Sequence, residues 1–491
     1  GRFQVVSDGA DLTDGTLRLA VLPNLKVDLD ARLNPSPLVP RLAVLKDPLR
    51  VELIATLREG AAADVEKLVV KTTGLSVTAS GRYGIADKTL AARVAIDAQD
   101  LTPLGALMGG EWLDTDLTAD IGGAAGVRRL VGTLSATAIT APQGTLASAS
   151  GRFDLSAPTA GDYPVGRARL AVQSARVSLQ SGAAPTYRAA RLGLTLVSRA
   201  QPGRPYPAVD VVVDAANVVA PQGRVARLKA DGTWSPEGIG FNTDGGLKLD
   251  LSGLASQWAN ADSLTATVTA VPRPGATYPS VKVSATGSGL AGQGAKLARL
   301  SLRFDGTVAD DGRTPLGKLA LDLAGLDSPW ATAAALKVDA TSAARPGGRF
   351  PNVVADIAGT KLSGQGAAIA TLKTSYDGTV ADDTRTPLGK LKLEVSGLVS
   401  PWANADVLTV DATSIPRPGG TYPHIVAEVS GTKLSRQGMA VATLKTSYEG
   451  TVADDARTPL GKLKLALTGL DSSWAKAETL TVAATSTPRP N

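Results

Sequence analysis

Few residues in this sequence have the type and spacing to do chemistry. Asp382-Asp383 and Asp454-Asp455 are acidic pairs 72 residues apart, each inside a polar loop. Paired carboxylates are raw material for a calcium site or for acid–base work. Calcium, however, takes further oxygen ligands in a defined order, and none accompany either pair, so they read as solvated turn residues. The sole histidine, His424, cannot supply a cluster of imidazole ligands, and no Gly-x-Ser-x-Gly elbow gives it a nucleophile. There are no Walker or dinucleotide loops. The other carboxylates are scattered, without a pair fit for glycoside hydrolysis. With no cysteine there is neither a disulfide framework nor a thiolate site. The expectation is a protein with no enzyme active site, no cofactor and no metal.

Aromatic and cationic series come next. Trp258, Trp330, Trp402 and Trp474 are 72 residues apart, and Tyr206-Pro207, Tyr278-Pro279, Phe350-Pro351 and Tyr422-Pro423 keep the same interval. The tryptophans suit either stacking on sugars or a lipid interface, or a structural plug at a sheet corner, which is the expected role. The aromatic-Pro pairs read as strand starts. Arg273, Arg345 and Arg417 sit beside prolines in turns; contact with anionic headgroups is the sharper reading and a plain turn cation the expected one.

The feature best suited to a site is an apolar stripe of alternating residues: Leu247, Leu249 and Leu251; Val281 and Val283; Leu300 and Leu302; Leu319, Leu321 and Leu323; Leu336 and Val338; Val353 and Ile357; Leu391, Leu393 and Val395; Leu408 and Val410; Leu463, Leu465 and Leu467. Period two puts each group on one face of a strand with polar residues on the other. Such a face either contacts acyl chains or packs into a dry core, and alternation alone does not separate the two.

The elements that must carry this stripe follow from internal repetition. The Trp and aromatic-Pro series share one phase, as do the Thr-Pro-Leu-Gly loops beginning at Thr314, Thr386 and Thr458. Residues 361–398 and 433–470 differ at only eight of 38 positions. A module copied almost unchanged suits a protein that uses length or a generic surface rather than one unique pocket. Each period holds about four strands, and the spacing predicts Leu319–Gly325, Leu336–Thr341, Val353–Gly359 and Ala370–Val380. Arg-Pro-Gly-Gly at 345–348 and 417–420 and Leu-Ser-Gly-Gln-Gly at 362–366 are turns. The expected organisation is a diverged region over 1–205 and repeats at 206–277, 278–349, 350–421 and 422–491, the last truncated, all in one continuous sheet. Within 1–205, Leu75–Tyr83 and Leu90–Asp97 alternate well, Thr102–Gly105 echoes the later loop, and a short helix is expected near Leu104–Met108.

Composition supports an all-β chain. Of 491 residues 43% are hydrophobic but only 4% aromatic, with 52 glycines and 30 prolines. The net charge of +6 comes from interspersed signs, so no nucleic-acid partner is expected. No run of 18 apolar residues and no signal peptide is present. Both ends read as cuts, which places any inner-membrane anchor outside these residues. Strands ~4.8 Å apart would extend a continuous sheet by about 19 Å per repeat and about 130 Å in all. Three covers for its apolar face are open: the sheet folds on itself as a sandwich or solenoid, each repeat closes as a small domain, or the sheet curls into a trough lined for lipid. Sparse aromatics lean toward the trough.

The segment Leu68–Leu107, LVVKTTGLSVTASGRYGIADKTLAARVAIDAQDLTPLGAL, resembles the periplasmic β-rich region of the TamB and AsmA-like proteins, and Ser148–Phe153 repeats part of it. The resemblance implies an elongated antiparallel sheet curled into a U-shaped, taco-like hydrophobic groove, anchored at the inner membrane and spanning the periplasm. It implies phospholipid transport between the inner and outer membranes and a role in outer-membrane protein assembly. The partners would be phospholipid acyl chains and an outer-membrane barrel protein at one end. The alternative is a structural or adhesive cell-surface repeat protein (a stalk, an autotransporter-like passenger or an S-layer part) with a dry β core. A tandem array of carbohydrate-binding domains is weaker, because 72 residues is short for a sandwich.

Overall fold

In the computed structural model the described residues are 1–7, 10–21, 23–35, 47–58, 61–86, 88–98, 111–123, 128–141, 144–157, 163–177, 187–204, 206–236, 244–309, 313–382, 386–417, 422–452 and 458–487. They form strands and turns, with no helix among them. The chain divides into two compact units, one of residues 1–239 with 247–253, the other of 240–246 with 254–491.

The first unit runs through β1 (Arg2–Ser7), β2 (Ala10–Ala20), β3 (Leu25–Leu33), β4 (Leu49–Arg58), β5 (Ala62–Thr72), β6 (Leu75–Gly84), β7 (Leu90–Ala98), β8 (Glu111–Gly123), β9 (Arg128–Ala141), β10 (Gly144–Ala157), β11 (Val165–Val177), β12 (Tyr187–Arg199), β13 (Ala208–Ala220) and β14 (Gly223–Ser235). Each strand pairs antiparallel with the next. Strand β15 (Asp244–Ser256) follows.

The second unit continues with β16 (Asn260–Val271), β17 (Ser280–Gly292), β18 (Ala295–Val308), β19 (Pro315–Asp327), β20 (Thr332–Ala343), β21 (Asn352–Gly364), β22 (Ala367–Val380), β23 (Pro387–Leu398), β24 (Ala405–Ile415), β25 (His424–Arg436), β26 (Met439–Val452), β27 (Pro459–Ser472) and β28 (Lys476–Ser486). Here too each strand pairs antiparallel with its successor. The four strands expected from spacing are found as β19 to β22, each longer than the alternation indicated.

Local chemistry sets the strand ends. Pro315, Pro387 and Pro459 each open a strand, where a missing N–H is tolerated. Pro207, Pro279, Pro351 and Pro423 stand one residue before β13, β17, β21 and β25, as expected of strand-start markers. The carbonyls of Pro279, Pro351 and Pro423 accept the hydroxyls of Thr307, Thr379 and Thr451 at 2.8, 2.8 and 2.9 Å. Gln293-Gly294, Gln365-Gly366 and Gln437-Gly438 close two-residue hairpins with both residues at positive φ, the geometry of the hairpin turn that matches strand twist.

Among the described residues, contacts within each unit run only between strands adjacent in sequence. The chain exposes 29590 Å², against the roughly 17,000 Å² expected of a compact chain of this mass. Among the described residues, few apolar side chains on the sheet faces are fully buried. The one cluster of fully buried apolar residues among those described is small: Ala136, Ala149 and Val172, with Leu146, Ala175 and Leu192 against it. The short helix expected near Leu104–Met108, the Thr102–Gly105 loop, Asp383, Asp454-Asp455 and residues 418–420 lie outside the described residues.

Candidate functional site

Register turns the alternating stripe into ordered rows. In the second unit one row crosses from β16 to β28 as Ala266, Ala285, Leu302, Leu321, Val338, Ile357, Thr374, Leu393, Val410, Val429, Thr446, Leu465 and Val482. Two residues along each strand, a row on the same face runs Leu300, Leu323, Leu336, Gly359, Leu372, Val395, Leu408, Gly431, Leu444, Leu467 and Leu480. On the other side of the first row runs Val283, Phe304, Leu319, Ala340, Ala355, Tyr376, Leu391, Ala412, Ala427, Tyr448 and Leu463. Val281 and Val353 lie in the margin row beyond, with Gly306, Gly317 and Ser342. The structure thus brings every stripe residue from Val281 to Leu467 onto one face. Leu247, Leu249 and Leu251 share one face of β15 by alternation.

The two threonines in the central row do not break its character. Thr374 Oγ1 donates to the Lys392 carbonyl at 2.9 Å, and Thr446 Oγ1 to that of Lys464 at 3.0 Å. Each hydroxyl is satisfied by backbone, which leaves the methyl group as the apolar part of the side chain. Glycines in the second row are covered from within: a Cβ on Gly359 would sit 2.8 Å from Leu362 Cδ1, and one on Gly431 would sit 3.0 Å from Leu434 Cδ1. Lys361 and Lys433, at φ 49° and 47°, break the alternation just before these leucines and return them to the apolar face. At the other margin the Tyr376 hydroxyl reaches the Thr379 and Leu388 carbonyls at 2.8 and 2.9 Å, and Tyr448 repeats this with Thr451 and Leu460. Burial pushes the Tyr376 phenol above its ordinary value, with a smaller push from Asp377.

Exposure along the stripe is graded. Leu247, Leu391 and Leu463 are exposed, Val395 is buried, and the remaining stripe residues are half-buried. A dry core would bury most of them.

The opposite face is wet. Lys337–Asp339 at 2.9 Å, Lys282–Asp305 at 3.4 Å and Lys392–Asp411 at 3.8 Å are exposed pairs, which contribute little. A hollow of about 1320 Å³ is lined both by Ile357, Leu393, Val410 and Leu465 of the central row and by flanking polar residues that include Lys337, Asp339, Lys392 and Glu428. Its charges alternate, and no single ligand charge is selected.

Three sequence expectations take a different form in three dimensions. The tryptophans plug nothing: Trp258, Trp330, Trp402 and Trp474 are 56%, 70%, 61% and 84% exposed. Their turns are closed by serine instead, Ser400 Oγ donating to the Ala403 carbonyl at 2.7 Å and accepting from the Ala403 N–H at 3.0 Å, with Ser256, Ser328 and Ser472 in the same role. Asp382 is a staple rather than a merely solvated residue, its Oδ1 accepting the Arg349 N–H at 2.8 Å and pairing with Arg345. Arg345 is thereby committed, and Arg273 donates to Thr307 Oγ1 at 3.0 Å.

In the first unit the sequence showed alternation over Leu75–Tyr83 and Leu90–Asp97 but singled out no site residues. There one row runs Phe3, Gly15, Ala31, Val51, Val70, Val77 and Ile96, and another Leu134, Gly151, Leu170, Leu194 and Val213. Their signal was present in the alternation of β3, β6 and β12, but it carries no fixed period. No protein-family model, curated protein or solved structure matches the chain.

Proposed function

We propose that this chain is a hydrophobic slide for phospholipid acyl chains, a U-shaped trough set in the periplasm between inner and outer membranes. An inner-membrane anchor would lie elsewhere in the protein, an outer-membrane barrel protein would meet one end, and outer-membrane protein assembly would benefit from the lipid supplied. The 72-residue period would act as a length module, with residues 1–205 a diverged part of the same trough. The observation that carries this reading is the unbroken apolar face from β16 to β28, whose described residues are mostly half-buried or exposed rather than sealed in a core. Uncovered apolar surface costs about 25 cal/mol per Å², and soluble proteins rarely leave a large patch bare. Acyl chains are a cover that fits a smooth lining of Leu, Val, Ala and Thr. Because the gain is about 0.8 kcal/mol per buried CH₂ wherever the chain lies, a lipid would move along the rows without meeting a deep trap.

The test is mass spectrometry of lipids co-purified with the protein and with Leu321→Asp and Leu393→Asp. The expected result is bound phospholipid in the parent and a partial loss in each variant at unchanged strand content. Lipid-free parent protein that pairs face to face as a dimer would instead support the dry-cored structural or adhesive reading.

A further inference from the structure

The turns that hold out the tryptophans alternate with a second kind of turn that is also costly. In the second unit the turns after β15, β19, β23 and β27 carry Trp258, Trp330, Trp402 and Trp474. The turns after β17, β21 and β25 carry Gln293, Gln365 and Gln437. In an antiparallel meander these turns all fall at the same end of the strands, so one rim reads Trp, Gln, Trp, Gln, Trp, Gln, Trp. Turns two strands apart are about 9.6 Å from each other, which places successive tryptophans roughly 19 Å apart.

Neither residue type is where stability alone would put it. The indoles are 56–84% exposed, although burying them is worth more than for almost any other side chain. The Ser-closed turns fix their backbone, so the exposure does not come from a loose loop. The glutamines adopt φ of 50°, 51° and 37°, a region that ordinarily selects Gly, Asn or Asp. All three are exposed, and their amides make no hydrogen bond among the described residues. A turn selected for stability alone would carry Asn-Gly. Repeated strain at an exposed polar residue points to use of its side chain.

We propose that this rim binds a linear polysaccharide of flat pyranose units, with indoles stacking on the apolar sugar faces and glutamine amides bonding the hydroxyl or N-acetyl groups between them. A bilayer interface is the poorer occupant. The charges beside the rim are of both signs, and some are paired, as in Lys433–Asp406 at 2.6 Å and Lys476–Asp471 at 3.2 Å, whereas recognition of an anionic surface uses clustered Lys and Arg of one sign. Spaced single stacking sites also suit a polymer, since each site is weak and the linked set gains by effective concentration. The inference is independent of the acyl-chain reading, for it uses the strand ends and not the apolar face.

The test uses the full chain with insoluble chitin, cellulose and phosphatidylcholine vesicles as probes. The expected result is retention on at least one of the two polysaccharides, with tryptophan fluorescence changed by binding. Retention should fall by at least tenfold in the W258A/W330A/W402A/W474A protein, at unchanged strand content and unchanged co-purified lipid. The Q293N/Q365N/Q437N protein should be more heat-stable, because Asn suits the turn, yet bind more weakly, because its amide is one methylene shorter. Failure of the parent chain to bind either polysaccharide would overturn the proposal. So would retention that survives loss of all four indoles, or vesicle binding that depends on them without polysaccharide binding.

Discussion

At the scale of single residues, the turns and margins are held by side-chain oxygens rather than by burial. Ser400 Oγ both donates to and accepts from Ala403, so Ser400→Ala should lose about 1 kcal/mol, read as a lower midpoint in urea with unchanged slope. Tyr376 offers a pH signature. Its phenol is raised above the ordinary value by burial first and Asp377 second. A raised phenol keeps its proton in the folded chain after the unfolded chain has lost it. Its contribution is complete below the unfolded value and is lost as pH rises through the folded one. Alkaline titration of stability should therefore show a downward step near and above the phenol range that is smaller in Tyr376→Phe. An equal step in both proteins would place the titrating group elsewhere.

At the scale of elements, the rule is alternation interrupted at fixed points. Gly397 sits at φ +60°, and a Cβ there would come within 2.8 Å of Ala370 Cβ. Gly347 sits at φ +71° with nothing within 4 Å. Both substitutions to Ala incur left-handed strain of about 1 kcal/mol, but only Gly397→Ala adds a clash inside the sheet. It should cost more, by roughly 1 kcal/mol or above, in paired thermal melts. These interruptions mark where sequence reading ran out. Strand identity was legible because Leu319, Leu321 and Leu323 alternate with Ala320, Asp322 and Ala324. The strands' full length was not, because Gly325, Lys361 and Lys433 reverse the parity without ending the strand. Period-two counting stops at each reversal. The tryptophans were misread for a related reason: their 72-residue spacing resembles that of packing residues, and nothing in the spacing says that Ser256, Ser328, Ser400 and Ser472 close the turns instead.

At the scale of the whole molecule, connectivity decides what can be removed. Among the described residues of each unit a strand contacts only its neighbours in the chain, so stability should be a sum of strand and neighbour terms, as in other linear arrays. Residues 350–421 hold four complete strands, β21 to β24, and their removal would join β20 to β25. That junction recreates a pairing of the kind already present, since Ala340 faces Ala355 on β21 just as Ala412 faces Ala427 on β25. Parity is kept because the number of strands removed is even, and the apolar rows would meet in phase on the same face. Deletion of 350–421 should therefore leave a folded protein with unchanged strand content per residue and a similar unfolding midpoint. Bound lipid would fall only in proportion to the length lost. Deleting half that length, two strands, should also fold, but it would set a Gln turn beside a Gln turn or a Trp turn beside a Trp turn and so break the rim's order. Collapse of the folded state on removing four strands would mean that the rows are held by contacts beyond nearest neighbours, and a slide of interchangeable modules would then be the wrong description.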